Sequence, residues 1–346
     1  MTETSHKKKQ TATLTGLFRS LNKAGLDGFI LALILMIILA RLWPQGGIGQ
    51  GTFSLSGLAN YGVSMVFFFY GLKLSKEKLK AGLGNWRLHL VIQASTFILF
   101  PLIVLAVKPL FANTSAELLW LGTFFLASLP STVSSSVVMV SIAEGNIPAA
   151  IFNASISSII GVFITPLWIR LVMPPSEGGV ELGQIIGKLI LQVLVPVIAG
   201  IILHRFWGKW AEKNKKQLKY FDQTIILIIV YTAFCESFEQ HMFDSLGIVQ
   251  LLLLSVAMLV LFFIAYFLIT LISKGLSFNR ADRITGVFCG SKKSLVHGTV
   301  MSKVLFSAAT PTGILLLPLM LYHALQLIVA SIIAKRMAGD AHNNDH

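Results

Sequence analysis

The stretch LASLPSTVSSSVVMVSIAEGN, residues Leu126–Asn146, has apolar sequence on both sides but contains a proline and a run of hydroxyl side chains. Pro130 removes a backbone donor, and hydrocarbon offers no partner for the carbonyl that is freed. A straight helix facing lipid therefore gains nothing from such a sequence. We predict that this segment is a broken helix buried within protein. The hydroxyl residues nearest the proline are Ser128, Ser131, Thr132, Ser134, Ser135 and Ser136.

A second stretch of the same character, TGVFCGSKKSLVHGTVMSK, occupies residues Thr285–Lys303. Gly290, two serines and two lysines interrupt an apolar segment that is otherwise long enough to cross a membrane. Matching interruptions in two halves of a membrane protein are the best indication from sequence of a transporter's binding site. We therefore predict a site where these two segments meet.

The composition indicates a membrane protein with many spans. Of 346 residues, 55% are hydrophobic and only 12% are charged, whereas soluble domains contain about 25% charged residues. The net charge of +13 does not indicate a nucleic-acid partner, because the basic residues lie between apolar segments rather than in one patch. The expected partners are membrane lipid and a small-molecule solute, and the oligomeric state is left open.

We predict an all-α membrane protein with ten transmembrane helices. Each span was required to supply about 17 to 25 mostly apolar residues, with breaks allowed where polar backbone is buried in protein. The predicted spans lie near residues 25–43, 57–74, 87–107, 117–143, 147–173, 183–205, 222–238, 246–272, 281–306 and 311–334.

The distribution of basic residues predicts the orientation. With the N-terminus inside the cell, most of the 28 lysine and arginine residues fall in or beside cytoplasmic loops, as the positive-inside rule requires. The acidic loop Glu236–Asp244 falls on the opposite side. Both termini are therefore predicted to be cytoplasmic, in a bacterial inner membrane. An added or missing span would move every later loop to the other side of the membrane. The distribution of basic residues therefore supports an even number of spans.

The ten spans divide into two halves of five. Halves with an odd number of spans enter the membrane in opposite senses, which is the inverted repeat of many secondary transporters. The broken segments are then spans 4 and 9. The predicted organisation is a basic amphipathic N-terminal segment at 1–23, a first five-helix repeat at 24–173, a linker at 174–182, a second repeat at 183–336 and a cytoplasmic tail at 337–346.

Two crossing broken helices would expose N–H groups with partial positive charge and carbonyls with partial negative charge. Such a site can hold an anion and a small cation together. The alternative is that the small polar residues only let helices pack closely and hydrogen-bond. We name Ser135, Ser136 and Asn153 as candidate sodium ligands. The complete set of predicted binding residues is Pro130, Ser131, Thr132, Ser134, Ser135, Ser136, Asn153, Ser157, Ser291, Lys292, Lys293, Ser294 and His297.

Lys292 and Lys293 are stronger evidence for a binding site than the hydroxyl residues. An ionisable residue at membrane depth is costly and normally faces a cavity or a partner. The alternative is a lysine whose ammonium extends to a water-filled vestibule and serves only topology. His297 lies one turn further on; it titrates near neutral pH in water, but a single histidine is more often a packing residue.

Four motifs resemble the bile acid:sodium symporter superfamily, solute carrier family ten. They are PSTVSSS at 130–136, AEGN at 143–146, FFFYGLKLS at 67–75 and GSKKSLVHG at 290–298. The last two are similar to the branch formed by the bacterial homologues of member seven. The resemblance covers nearly the whole chain. It implies ten spans in an inverted repeat, a panel domain, and a core domain whose two discontinuous helices cross. It also implies transport of a small organic anion by alternating access.

The sequence departs from this family at the ion sites. Where bile-acid transporters carry a glutamate and then Gln-Asn that serve sodium, this chain has approximately Phe288, Lys292 and Lys293. A protonated lysine cannot ligate a cation. One hypothesis is that a protonated lysine takes the electrostatic position of a bound cation. Another is that a lysine releases and regains its proton, which would make the proton the coupling ion. The sequence therefore leaves three alternatives for the coupling ion: sodium, a proton or none.

The predicted function is secondary active transport without a cofactor other than a coupling ion. A non-transporting membrane regulator that keeps the fold is the first alternative. An intramembrane enzyme is the second, because Ser291 and Ser294 lie near lysines and His297, as in Ser-Lys or Ser-His nucleophiles. No orienting acid or oxyanion motif accompanies them, so an enzyme is not the prediction.

The orientation can be tested by cysteine labelling from outside intact cells. Lys76→Cys and Lys215→Cys should stay unlabelled and Glu239→Cys should react, because the charge bias places the two lysines inside and the glutamate outside. Reaction at Lys215→Cys together with silence at Glu239→Cys would reverse the orientation.

Overall fold

A computed structural model describes residues 28–49, 54–73, 84–173, 187, 190–239, 241, 247–306 and 310–344. In this part of the chain the regular elements are helices, and no strand is present, as predicted for an all-α protein. The predicted N-terminal segment 1–23 and the linker 174–182 lie outside the described residues.

The first group of helices runs from residue 28 to residue 172. A single π-helical turn, Ser95–Leu99, joins the helices Trp86–Ala94 and Phe100–Ala106 into one continuous rod. The helices are α1 (Gly28–Leu42), α2 (Leu55–Leu72), α3 (Trp86–Ala94), α4 (Phe100–Ala106), α5 (Glu117–Ser128), α6 (Ser134–Ile142) and α7 (Ile147–Val172).

The remaining helices follow from residue 195. They are α8 (Val195–Lys213), α9 (Lys215–Glu239), α10 (Ile248–Gly275), α11 (Arg280–Gly290), α12 (Leu295–Leu305) and α13 (Thr312–Asn344). At three ends a described helix extends well beyond the predicted span, because hydropathy marks only the apolar part of a helix. Helix α8 continues past residue 205, α9 begins before residue 222, and α13 continues into the predicted tail.

Among the described residues, seven helical segments are long and apolar enough to cross a membrane: Leu55–Leu72, Trp86–Leu110, Ile147–Val172, Ile190–Lys213, Lys215–Glu239, Ile248–Gly275 and Thr312–Ala338. The other three predicted spans fall on α1 and on the pairs α5–α6 and α11–α12, whose helices are each 15 residues or shorter. Large apolar side chains of α10, such as Leu253 and Phe267, point outward, as expected for a surface in contact with lipid.

The helices pack in two groups. The first group is α1, α2, α8 and α9, and the second contains α3 to α7 and α10 to α13. Within the first group, α2 and α8 approach closely at two glycines: a Cβ on Gly71 would meet the backbone of Val197, and a Cβ on Gly200 would meet that of Phe68. Small residues permit such close contacts between membrane helices. Helix α9 also packs on α12 and α13 of the second group.

Both predicted breaks are present. Residues 129–133 separate α5 from α6, and residues 291–294 separate α11 from α12. Pro130 lies in the first break and is buried, as is Ser291 in the second. The prediction of a buried, interrupted helix at Pro130 is therefore confirmed.

The α2–α8 contact provides a stability test. Gly200→Ala should lower the free energy of unfolding by about 1–3 kcal/mol, because the new Cβ meets backbone atoms that cannot move aside independently. Gly275→Ala makes the same change at the end of α10, where a Cβ meets nothing within 4 Å. Thermal unfolding of the two purified variants gives the comparison, and equal Tm values would show that the contact is not tight.

Candidate functional site

The two breaks touch each other in the interior. The Ser131 hydroxyl donates to the carbonyl of Cys289 at 2.6 Å, and the Ser294 backbone N–H donates to the carbonyl of Pro130 at 3.0 Å. All four residues are buried. The structure therefore brings the two predicted polar stretches to one place.

Ser131 of the first break and Ser136 of α6 satisfy carbonyls at the end of α11. Besides the bond from Ser131 to Cys289, Ser136 donates its hydroxyl to the carbonyl of Phe288 at 3.1 Å. The last carbonyls of any helix lack partners within the helix. These two hydroxyls thus act in helix-to-helix hydrogen bonding, which was the alternative to direct ion binding.

The long helix that comes next in the chain after each interrupted pair, α7 after α5–α6 and α13 after α11–α12, holds the break in place. From α7, Ser157 accepts the backbone N–H of Ser131 at 2.9 Å, and Thr165 donates to the carbonyl of Ser128 at 2.7 Å. From α13, the Tyr322 hydroxyl donates to the carbonyl of Ser291 at 2.7 Å.

Gln326 of α13 completes the support of the second break. Its Oε1 accepts the backbone N–H of Lys293 at 2.9 Å, and its Nε2 donates to the Lys293 carbonyl at 2.8 Å. The sequence interpretation missed Thr165, Tyr322 and Gln326. A glutamine in an otherwise apolar span was the one signal that could have identified Gln326.

The ammonium of Lys293 lies among three backbone carbonyls. Its Nζ donates to Thr96 at 2.7 Å, to Ala127 at 2.6 Å and to Leu129 at 2.9 Å. It also lies 4.4 Å from the centroid of the Phe100 ring, a distance at which a cation is attracted to the ring face. The three N–H donors of the ammonium therefore all have partners, although the side chain has no solvent exposure.

These carbonyls are available for local reasons. In the π-helical turn, the N–H of Phe100 bonds to the carbonyl of Ser95, five residues earlier. The next residue in that register is Pro101, which has no N–H to give to Thr96. The carbonyls of Ala127 and Leu129 are free because α5 ends at Ser128.

Lys292 is in a different situation. Its side chain has no solvent exposure, and its Nζ has no hydrogen-bond partner among the described residues. It lies within electrostatic range of Cys289 on α11 and of His323 on α13. A buried ammonium without a counter-ion is strongly unfavourable. The structure therefore gives different environments to two adjacent lysines that the sequence does not distinguish.

His297 faces the junction between the two helix groups. Its ring makes edge contacts with Phe67 and Tyr70 of α2, at centroid distances of 5.8 and 5.5 Å. Its Nδ1 lies 2.9 Å from the hydroxyl of Ser294. A cavity of about 30 Å³ lies beside it, and Asp222 of α9 is among the lining residues.

The candidate sodium ligands point in different directions. The Ser135 hydroxyl donates to Thr132 at 3.3 Å and that of Ser136 faces α11. The Asn153 Oδ1 accepts from Gln93 of α3 at 3.2 Å. These contacts do not gather the three oxygens around one point, and a sodium site here stays a prediction. The side chain of Ser134 lies outside the described part of the structure.

Asp282, at the start of α11, is a buried carboxylate. Asp282 accepts hydrogen bonds from the side-chain amides of Asn85, Asn146 and Asn279, at 2.8, 2.8 and 3.1 Å. It thus joins the start of α3, the α6–α7 turn and the start of α11. This carboxylate lies at the N-terminal end of α11, where the helix dipole favours negative charge.

Two interrupted helices that meet inside a helical membrane protein are typical of secondary transporters. Residues 27–339 match the SBF-like CPA transporter family. The chain is 40% identical over 314 residues to the putative symporter YfeH of Escherichia coli strain K12, covering 90% of this chain and 92% of the relative. It is 30% identical over 319 residues to sodium/bile acid cotransporter 7 of Mus musculus, covering 91% and 93%.

The chain therefore belongs to the SBF-like CPA transporter family, and the resemblance to the bile acid:sodium symporter superfamily is confirmed. An uncharacterized protein of Pseudomonas aeruginosa is 45% identical over 313 residues, covering 90% of this chain and 93% of the relative. The protein is a multi-pass membrane protein of a transporter family.

The support of the second break can be tested at Gln326. Gln326→Leu should lower the free energy of unfolding by about 2 kcal/mol or more, because the buried N–H and carbonyl of Lys293 lose their partner together. Gln217→Leu, at an exposed glutamine of α9, is the control. Thermal unfolding in detergent measures both, and a Gln326→Leu Tm equal to that of the control would mean that other groups satisfy the Lys293 backbone.

Proposed function

We propose that this protein is a secondary active transporter that moves a small organic anion across a bacterial inner membrane by alternating access. The proposed architecture is ten spans in two inverted repeats of five, with spans 4 and 9 formed by α5–α6 and α11–α12. The first helix group would be the panel and the second the core. Both termini would be cytoplasmic.

The hydrogen bonds around the two breaks support the repeat. Each interrupted pair of helices is bonded at or beside its break by the long helix that comes next in the chain, α7 after α5–α6 and α13 after α11–α12. The end of α11 receives the hydroxyls of Ser131 in the first break and Ser136 in α6, and the end of α5 receives the ammonium of Lys293 in the second break. Two halves of opposite orientation would produce such an exchange.

The environment of Lys292 is the observation that best supports an anionic substrate. It is fully buried at the meeting point of the breaks and has no hydrogen-bond partner among the residues described. An unpaired cation inside a membrane protein favours an anionic partner. The name of the mouse relative, sodium/bile acid cotransporter 7, also supports an organic anion.

The junction between the helix groups is the proposed path. His297 of α12 packs on Phe67 and Tyr70 of α2, and the Tyr70 hydroxyl donates to the carbonyl of Ser155 on α7 at 3.1 Å. These contacts close the junction in this conformation. Movement of the core group against the panel group would break them and admit the solute.

The two alternatives have less support. A regulator that does not transport would have no need for a buried, unpaired Lys292. For an enzyme, the Ser294–His297 contact resembles a nucleophile and its base. However, the Ser294 hydroxyl also accepts the backbone N–H of His297 at 3.3 Å, so it acts as the N-cap of α12, and helix capping accounts for its position.

Lys292→Ala should reduce anion uptake by at least about 30-fold, because truncating one partner of a buried charge pair costs several kcal/mol. Purified protein in proteoliposomes would be tested with labelled taurocholate, a bile acid, and with small carboxylates selected by thermal stabilisation. Lys209→Ala, at an exposed lysine of α8, should transport normally.

Normal uptake by Lys292→Ala would contradict the anion-binding role. A wild-type protein that carries none of these solutes would favour the regulator. Covalent reaction of Ser294 with a serine-directed probe would favour the enzyme.

A further inference from the structure

We infer that the carbonyls of Thr96, Ala127 and Leu129 form a monovalent-cation site that the protein fills with its own Lys293 ammonium. A free cation in this position would have to be captured in every cycle, whereas Lys293 is attached to the chain. The consequence for coupling rests on the proposed transport function; the existence of the site does not.

The chemistry of the site suits a compact cation. Three carbonyl oxygens converge on one point, at 2.6 to 2.9 Å from Nζ. Backbone carbonyls replace the hydration shell of monovalent cations in selective ion sites. The ring of Phe100 covers the same point at 4.4 Å and attracts a cation without being a ligand.

The site is formed by backbone that is free for reasons unrelated to the lysine. Pro101 and the π-helical turn leave the carbonyl of Thr96 without an N–H partner. The end of α5 supplies the carbonyls of Ala127 and Leu129 and the negative end of a helix dipole. Removal of the Lys293 side chain would therefore leave the three carbonyl oxygens in place without a positively charged partner.

Lys293 is held so that its ammonium stays in the site. Gln326 pairs with both the N–H and the carbonyl of Lys293, which fixes the start of the side chain, and the three carbonyls fix its end. Lys292, its neighbour, has no such contacts. The positive charge of Lys293 is thus a permanent part of the site, while that of Lys292 is available to a solute.

This arrangement would make the proposed transport independent of a cation at this position. The field that a bound ion would supply to an anion at the crossing comes instead from the side chain.

The test uses Lys293→Ala, which opens the site, and Lys293→Met, which removes the charge but fills the space with an unbranched side chain. Full-length purified protein would be unfolded thermally in sodium, ammonium or choline chloride at equal ionic strength, with no transported solute. Sodium and ammonium should raise the Tm of Lys293→Ala saturably, by roughly 3 °C or more relative to choline. Wild type and Lys293→Met should show no such difference.

The folded yield from membranes in each salt is the second measurement, so that the test does not depend on a large purified amount of Lys293→Ala. Yield and Tm that are the same in all three salts for Lys293→Ala would overturn the inference, as would an equal cation response in Lys293→Met. Because no solute is transported in this experiment, a failure of the proposed anion transport would leave its result unchanged.

Discussion

Backbone carbonyls that end a helix inside a membrane protein must find partners, and this requirement organises the centre of the molecule. Neither water nor lipid supplies a donor there, and each unsatisfied polar group is costly. The end of α11 meets the hydroxyls of Ser131 and Ser136. The end of α5 meets the ammonium of Lys293. Each broken helix therefore receives hydrogen-bond partners from the other.

The two lysines illustrate how one sequence signal can have two physical meanings. Lys293 has three carbonyl partners and an aromatic ring, so the cost of burying its charge is offset within the fold. Lys292, one residue earlier, has lost its water without gaining a hydrogen-bond partner among the described groups. Lys293 is thus bound within the fold, whereas Lys292 is the lysine to which the proposed function assigns the solute. Successive residues in a non-helical loop point in different directions, which makes this separation possible.

Aromatic contacts join the two helix groups together with hydrogen bonds, from Tyr70 to the carbonyl of Ser155 and from the Gly313 N–H to Ser237. Between the helix groups, His297 meets aromatic edges of α2, and a small cavity separates it from other residues of α2 and α9. Within the second group, buried hydrogen bonds join both breaks to α7 and α13.

The sequence by itself determined that this is an all-helical membrane protein and that helices break near Pro130 and Gly290, because hydropathy and the missing N–H of proline act locally. It also pointed to the lysines, since a charge in an apolar segment is conspicuous wherever the segment lies. Only the tertiary structure decided which lysine has partners, that Ser131 and Ser136 bond to α11, and that Asn153 turns toward Gln93 of α3. It alone showed the roles of Thr165, Tyr322 and Gln326. These depend on contacts between residues far apart in the chain, whose geometry is set by how the helices pack, and hydropathy does not encode which carbonyl a given side chain will reach.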